Sequence, residues 1–76
     1  MKELVEFLAK SLVDDADAVR TRIHERDQAI IIELEVAPAD LGKVIGRQGR
    51  TARAIRTLLA AAGQKTRRRY ILDILD

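Results

Sequence analysis

Residues 41–52 read Leu41-Gly42-Lys43-Val44-Ile45-Gly46-Arg47-Gln48-Gly49-Arg50-Thr51-Ala52. The spacing predicts the end of a short helix, a two-glycine turn enclosing Arg47 and Gln48, and the start of a longer helix. Glycine at both ends of the turn gives the backbone access to φ > 0 and removes the Cβ atoms that would hold another chain's backbone away. A helix starting at Gly49 or Arg50 aims unpaired N–H groups and the positive end of its dipole at the same point. Anions bind at such points. Arg47 and Arg50 flank the turn and offer charge-assisted hydrogen bonds to phosphate oxygens. The stretch reads as a phosphate site.

Outward from the turn, Ala37-Pro38-Ala39-Asp40 starts the short helix, with proline in the first turn and Asp40 complementing the dipole. Leu41, Val44 and Ile45 form its buried face. Gly42 costs about 1 kcal/mol relative to alanine inside a helix, a cost that close helix packing or the approach of a ligand would explain. Downstream, Thr51, Ile55, Leu58, Leu59 and Ala62 line one face of a helix running to about Ala62, with Gly63 as its C′ residue. Arg50, Arg53 and Thr57 lie opposite, and Ala54 and Ala61 make a small-residue strip beside the core face.

The rest of the chain alternates in type. Lys2 to Val13 places Leu4, Val5, Leu8 and Leu12 at helical spacing, and Asp14-Asp15-Ala16-Asp17 is a polar break. Val19 to Glu25 switches to period two, as does Ala29 to Val36, where Ile30, Ile32, Leu34 and Val36 oppose Ile31, Glu33 and Glu35. Glu25-Arg26-Asp27-Gln28 joins them as a hairpin inferred from the flanking patterns, since no Asn-Gly or Asp-Gly pair is present. Lys65 to Asp76 contains a last strand with Tyr70, Leu72 and Ile74 on one side. The order α-β-β-α-α-β gives an α+β fold: one mixed three-stranded sheet covered by three helices. The first two strands pair antiparallel, and the last two run parallel through a right-handed crossover.

Composition sets limits. A chain of 76 residues has room for one small domain, residues 1–76, and its 47% hydrophobic content suffices for a packed interior. Without cysteine, disulfide and thiolate metal sites are excluded. Residues 1–40 hold five Lys/Arg and ten Asp/Glu, net −5, whereas residues 41–76 hold nine and two, net +7. The basic half contains the glycine turn, which points to one face for a polyanion. The N-terminus mixes acids into its apolar residues and cannot serve as a signal peptide, and no apolar run approaches ~20 residues, so no membrane is implied and the cytoplasm is the expected location.

Val44-Ile45-Gly46-Arg47-Gln48-Gly49 between two helices resembles the V-I-G-x-x-G signature of the KH domain, a single-stranded RNA-binding module whose GxxG loop clamps about four nucleotides. The element order is similar to the type II, bacterial-style KH fold across essentially the whole chain. Residues 37–59 closely resemble the corresponding stretch of the small single-KH bacterial proteins of the KhpA family. The resemblance implies single-stranded RNA as partner, contacted by Lys43, Val44, Ile45, Gly46, Arg47, Gln48, Gly49, Arg50 and Arg53. It also implies a cytoplasmic RNA-chaperone or post-transcriptional role, pairing with a KhpB (Jag)-type KH protein, and family links to cell elongation and peptidoglycan homeostasis. Ala52 departs from the broader KH pattern, in which a large aliphatic residue often stands there, and implies a shallower groove floor.

Other readings compete. The glycine turn also fits a purely structural corner. A DNA-reading helix-turn-helix fits less well, because the first helix is short and strands flank the pair. Ala54, Leu58 and Ala61, with Ile71, make a candidate dimer surface, so a protein-interaction module whose nucleic-acid binding is secondary is the alternative function. Lys65-Thr66-Arg67-Arg68-Arg69 either extends the basic track or lies far from the turn and aids solubility. With 3% aromatic residues, bases are expected against aliphatic walls, and Tyr70 and Phe7 are read as core. His24 reads as an outward strand residue, Ser11 lacks an activating base, and no metal-ligand spacing occurs. No enzyme, cofactor, metal or small-molecule substrate is expected. Phosphate contacts give little basis for discriminating the 2′-hydroxyl, so single-stranded DNA fits the same clamp.

Overall fold

The apolar alternation of residues 29–36 makes the middle strand of the sheet, with a strand along each edge and the helices against one face. The structure is a computed structural model that describes residues 1–76. Its elements are α1 (Lys2–Leu12), β1 (Arg20–Arg26), β2 (Ala29–Glu35), α2 (Leu41–Ile45), α3 (Arg50–Thr66) and β3 (Arg69–Ile74). Short 3₁₀ turns at Ala16–Ala18, Pro38–Asp40 and Arg47–Gly49 link them. The sheet order is β1-β2-β3, with β1 antiparallel and β3 parallel to β2. This is the mixed α+β arrangement that the sequence pattern predicts.

Register decides which face is buried. Ile32 pairs with Ile23 across one edge and with Leu72 across the other, and Leu34 pairs with Thr21 and Ile74. Side chains opposite one another share a face, so this row points at the helices. Ile32 and Leu34 have no exposure and pack with Val5, Ala9, Val44, Ile55, Leu59 and Leu72 in one cluster. The other face carries Ile31 and Ile71 among charged neighbours, and His24 stands there as expected, with Nε2 3.1 Å from Oε1 of Glu33.

Four details differ from the sequence reading. β1 starts and ends one residue later than expected, at Arg20 and Arg26. Its hairpin is a two-residue turn with both Asp27 (φ 51°) and Gln28 (φ 68°) at positive φ. That conformation matches strand twist, but Asn-Gly is not needed to form it.

α1 is rolled away from its Leu-rich line. Val5 and Ala9 face the core without exposure, Leu4 and Leu12 are 37% and 40% exposed, and Phe7, read as core, is 66% exposed. Small Ala9 lets the helix approach the sheet closely, and Glu6 Oε2 accepts a 2.7 Å hydrogen bond from Thr21 Oγ1 on β1. Those contacts set the roll and turn Phe7 outward.

Third, α3 does not end at Ala62. It continues through Gly63 to Thr66, and Arg67 takes the left-handed position (φ 57°) expected of the glycine. Gly63 is buried in the helix because the returning chain crosses it: a Cβ there would collide with the Arg68 carbonyl oxygen and come within 3.4 Å of Tyr70 Cδ2. The Arg68 N–H donates to the Gly63 carbonyl at 2.8 Å. Fourth, Leu58, placed on the core face by spacing, is 52% exposed; Ala52, Ile55 and Leu59 carry that face instead.

The two helical glycines therefore differ in sign. Gly42 has nothing within 4 Å of an added Cβ, so packing does not require it, and Gly42→Ala should gain about 0.5–1 kcal/mol of stability in urea denaturation. Gly63→Ala carries the same helical gain but must displace backbone, and is expected to lose about 1–3 kcal/mol. Equal behaviour of the two variants would contradict the crossing described.

Candidate nucleic-acid interface

The turn after α2 is built from three positive-φ residues: Gly46 (φ 78°), Gln48 (φ 57°) and Gly49 (φ 73°). At Gly46 glycine is required twice over, by φ and by space. A Cβ would lie 2.7 Å from Thr51 Cβ and closer still to its Oγ1. At Gly49 nothing lies within 4 Å of such an atom, so only the dihedral favours glycine there. The turn closes on itself, with the Gly46 N–H donating to Gly42 O (2.8 Å) and the Gly49 N–H to Gly46 O (3.1 Å). Those two amides are occupied. Arg47 and Gln48 are lifted into solvent between them.

No side chain caps the start of α3, whose N-cap is Gly49. The positive dipole end sits beside Arg50, whose own N–H donates to the Arg47 carbonyl. Arg50 Nη2 reaches Gln48 Oε1 at 3.4 Å. Arg47, Arg50 and Arg53 are all exposed, and none has a carboxylate partner within the 4.0 Å ion-pair distance. Three unneutralised guanidinium groups beside the positive end of a helix dipole concentrate positive charge and hydrogen-bond donors at this corner.

Lys43 and Val44 stand differently from the other predicted residues. Lys43 Nζ is engaged, 2.8 Å from Asp14 Oδ2 and 3.2 Å from Asp40 Oδ1. Its hydrogen bonds to Asp14 first and Asp40 second raise its pKa above the usual lysine value. Val44 has no exposure and belongs to the core, so its side chain supports the turn from behind rather than forming a groove wall. The reason is helical phase: Val44 is the α2 position that joins the core cluster holding Ile55 and Leu59, leaving half-buried Ile45 nearer the surface. Ala52, 3% exposed, packs beneath α3's first turn.

Asp40 is the residue that sequence reading missed. Read as a surface partner for the helix dipole, it is 2% exposed. Its Oδ2 accepts the Asp15 N–H at 3.0 Å while Oδ1 meets Lys43. The hydrogen bond from Asp15 is the main cause that holds its pKa below the usual aspartate value, with Lys43 adding to it against the cost of burial. One carboxylate thus ties the loop after α1 to the base of the glycine turn. The acidic run Asp14-Asp15 was the available signal.

The remaining candidates divide in space. Ala54, Leu58 and Ala61 are exposed along α3, on an outer face that begins at Arg50 and Arg53. Arg67, Arg68 and Arg69 lie at the opposite end of α3, whose 17 residues span about 25 Å. The basic run is therefore not an extension of the turn.

Comparison with known proteins gives one family. The profile described as "KhpA/KhpB, KH domain" matches residues 2–74. Among curated relatives, "RNA-binding protein KhpA" of Aquifex aeolicus is 53% identical over 76 residues, covering 100% of this chain and 96% of the relative. The proteins of that name from Borreliella burgdorferi and Caldanaerobacter subterraneus are 55% and 56% identical, covering 97% and 99% of this chain and 90% and 100% of those relatives.

Because Asp40's pKa is depressed in the fold, its stabilising contribution is full above the ordinary aspartate pKa and is lost as pH falls through the folded value. Asp40→Asn should be less stable than the parent at pH 7 in urea denaturation, with the gap narrowing as pH falls through and below the aspartate range. A gap that stays constant with pH would show that the carboxylate charge is not what matters.

Proposed function

The chain belongs to the KhpA/KhpB family of KH domains, and from that membership we propose that residues 1–76 act as a single KH domain that binds single-stranded RNA at the glycine turn. The observation that carries this reading is the exposed Gly46–Gly49 turn, with Arg47, Arg50 and Arg53 free of ion pairs at an uncapped helix start.

In the mechanism, Gly49, with open space where a Cβ would stand, lets the sugar-phosphate backbone approach the turn closely, while Gly46 makes room for Thr51. Arg47 and Arg50 take phosphate oxygens, and Arg53, one turn on, takes the next. Gln48 supplies an amide at the apex. Lys43, anchored by Asp14 and Asp40, adds positive field and holds α2 in place rather than folding over the strand. Ile45 and the neighbouring sheet edge supply aliphatic wall for the bases, which are splayed as in other single-strand readers. Single-stranded DNA fits the same phosphate contacts.

Association is the second part of the proposal, favoured by the exposure of Leu58 between exposed Ala54 and Ala61. A second copy of the chain, or a KhpB-type KH protein, would bury this strip and double the clamp, raising avidity through effective concentration. A cytoplasmic role as RNA chaperone or post-transcriptional regulator, with links to cell elongation and peptidoglycan homeostasis, rests on the family resemblance.

Replacing Arg47 and Gln48 with Asp should abolish crosslinking to a single-stranded RNA, with at least a tenfold loss of affinity, while circular dichroism and self-association stay normal. Aspartate tolerates the positive φ at position 48, so the fold is expected to survive. Ala61→Arg should weaken association and leave binding of a tetranucleotide intact. Retention of RNA by the double Asp variant at parental strength would remove the mechanism.

A further inference from the structure

The sheet has two outer edges, and the protein treats them differently. Along β3 the Arg56 guanidinium reaches over from α3 and donates to the Leu72 carbonyl at 3.4 Å. Along β1, the strand at the other end of the sheet order, no such cover exists.

Register identifies the backbone groups left over there. The two-residue turn makes its flanking pair, Arg26 and Ala29, a hydrogen-bonded one, and pair types then alternate along the antiparallel ladder. Thr21, Ile23 and Glu25 fall at the non-hydrogen-bonded pairs, so their N–H and C=O groups are directed away from β2. Leu34 confirms the assignment: it pairs with Thr21, and its own carbonyl accepts the Leu75 N–H on the β3 side. No hydrogen bond within the protein reaches the outward amides and carbonyls of Thr21, Ile23 and Glu25.

The side chains along this edge define what fits it. On the helix side Ile23 is 49% exposed, an apolar seat between Thr21 and Glu25. On the open face Arg20, Arg22, His24 and Arg26 form an exposed basic row. His24 has Glu33 at 3.1 Å, and Arg20 donates to the Asp17 and Val19 carbonyls. Arg22 and Arg26 have no carboxylate within ion-pair distance. A strand laid antiparallel on this edge sets an aliphatic residue opposite Ile23 and its two sequence neighbours opposite Arg22 and His24. Carboxylates at those two places make opposite-charge cross-strand pairs. The inner neighbour already shows the pattern, since Glu33-Leu34-Glu35 of β2 lies opposite Arg22, Thr21 and Arg20.

Other occupants fit worse. Pairing β1 with a second copy of itself about Ile23 sets Arg20 against Arg26 and Arg22 against His24, and like charges directly opposite are destabilising. A nucleic-acid strand would meet the arginines but leave the ladder groups and Ile23 unmatched.

We propose that the free edge of β1 is a docking strand for an extended acidic segment of a partner protein, alternating carboxylate and aliphatic residues and added antiparallel to the sheet. This surface is separate from the glycine turn, and the proposal does not depend on the RNA-binding reading.

Amide hydrogen exchange on the full chain tests it, with and without a peptide of about nine residues alternating Glu and Val, long enough to cover β1. The Thr21, Ile23 and Glu25 amides should exchange freely in the protein alone and be slowed about tenfold or more by the peptide, while Arg22 and His24, already in the ladder, change little. The same peptide N-methylated at its Val amides, which cannot complete the ladder, should not protect them, and neither should a Lys-Val peptide. The double variant Arg22→Gln, Arg26→Gln should bind the Glu-Val peptide about fivefold more weakly. Ile23→Pro, which removes the central outward donor at an edge position where proline is tolerated, should bind it about tenfold more weakly. Circular dichroism checks that each variant keeps the fold.

Absence of protection at millimolar Glu-Val peptide overturns the proposal, as does equal protection by the Lys-Val or the N-methylated peptide. Protection that grows with protein concentration alone assigns the edge to a second copy instead. Protection by single-stranded RNA where the peptide gives none assigns it to nucleic acid, and either result overturns the acidic-strand reading.

Discussion

The structure depends on one close approach, that of Thr51 to Gly46. No side chain larger than hydrogen fits at position 46, and the backbone there stands at φ 78°. With that atom absent, α2 and α3 meet at a sharp corner, Val44 and Ile55 share the core, and the two intervening residues are pushed into solvent. Space at the corner and exposure of Arg47 and Gln48 are two sides of one steric fact. A flatter connection would bury neither helix as well and would present no turn.

Charge is organised around the same corner. On its inner side, Asp40 and Asp14 engage Lys43, so the cation nearest the acidic half is compensated within the protein. On the outer side, the arginines are left unpaired. The division follows burial: Asp40 is held by the Asp15 N–H and Lys43, and a buried carboxylate without such partners would be costly. The core supplies the rigid backing, because the crossover between parallel β2 and β3 carries both α2 and α3, whose Val44, Ile55 and Leu59 join the sheet's apolar row in the core.

Much of this was legible in the chain. The alternation of Ile30, Ile32 and Leu34 identified the middle strand, and glycine spacing identified the corner together with its exposed arginines. What sequence spacing could not supply was helix roll and chain crossing. Leu4 and Leu12 suggested a face from which the burial of Ala9 and the Glu6–Thr21 hydrogen bond turn them, leaving Phe7 outside as well. Gly63 resembled a helix terminator, but it is the point over which the returning chain passes, with Arg67 taking the terminating conformation. Asp40 was the farthest from view. Its partners are a backbone amide 25 positions away and a lysine that sequence alone assigned to a ligand.

The central claim is that an unpaired strand is gripped at the corner between α2 and α3. Amide chemical-shift mapping during titration with single-stranded RNA tests it most directly. The account predicts that the first and largest shifts fall within residues 45–53 and shrink together as salt is raised. Shifts centred on the uncovered sheet face around Ile31 and Ile71, with the glycine amides unmoved, would contradict it.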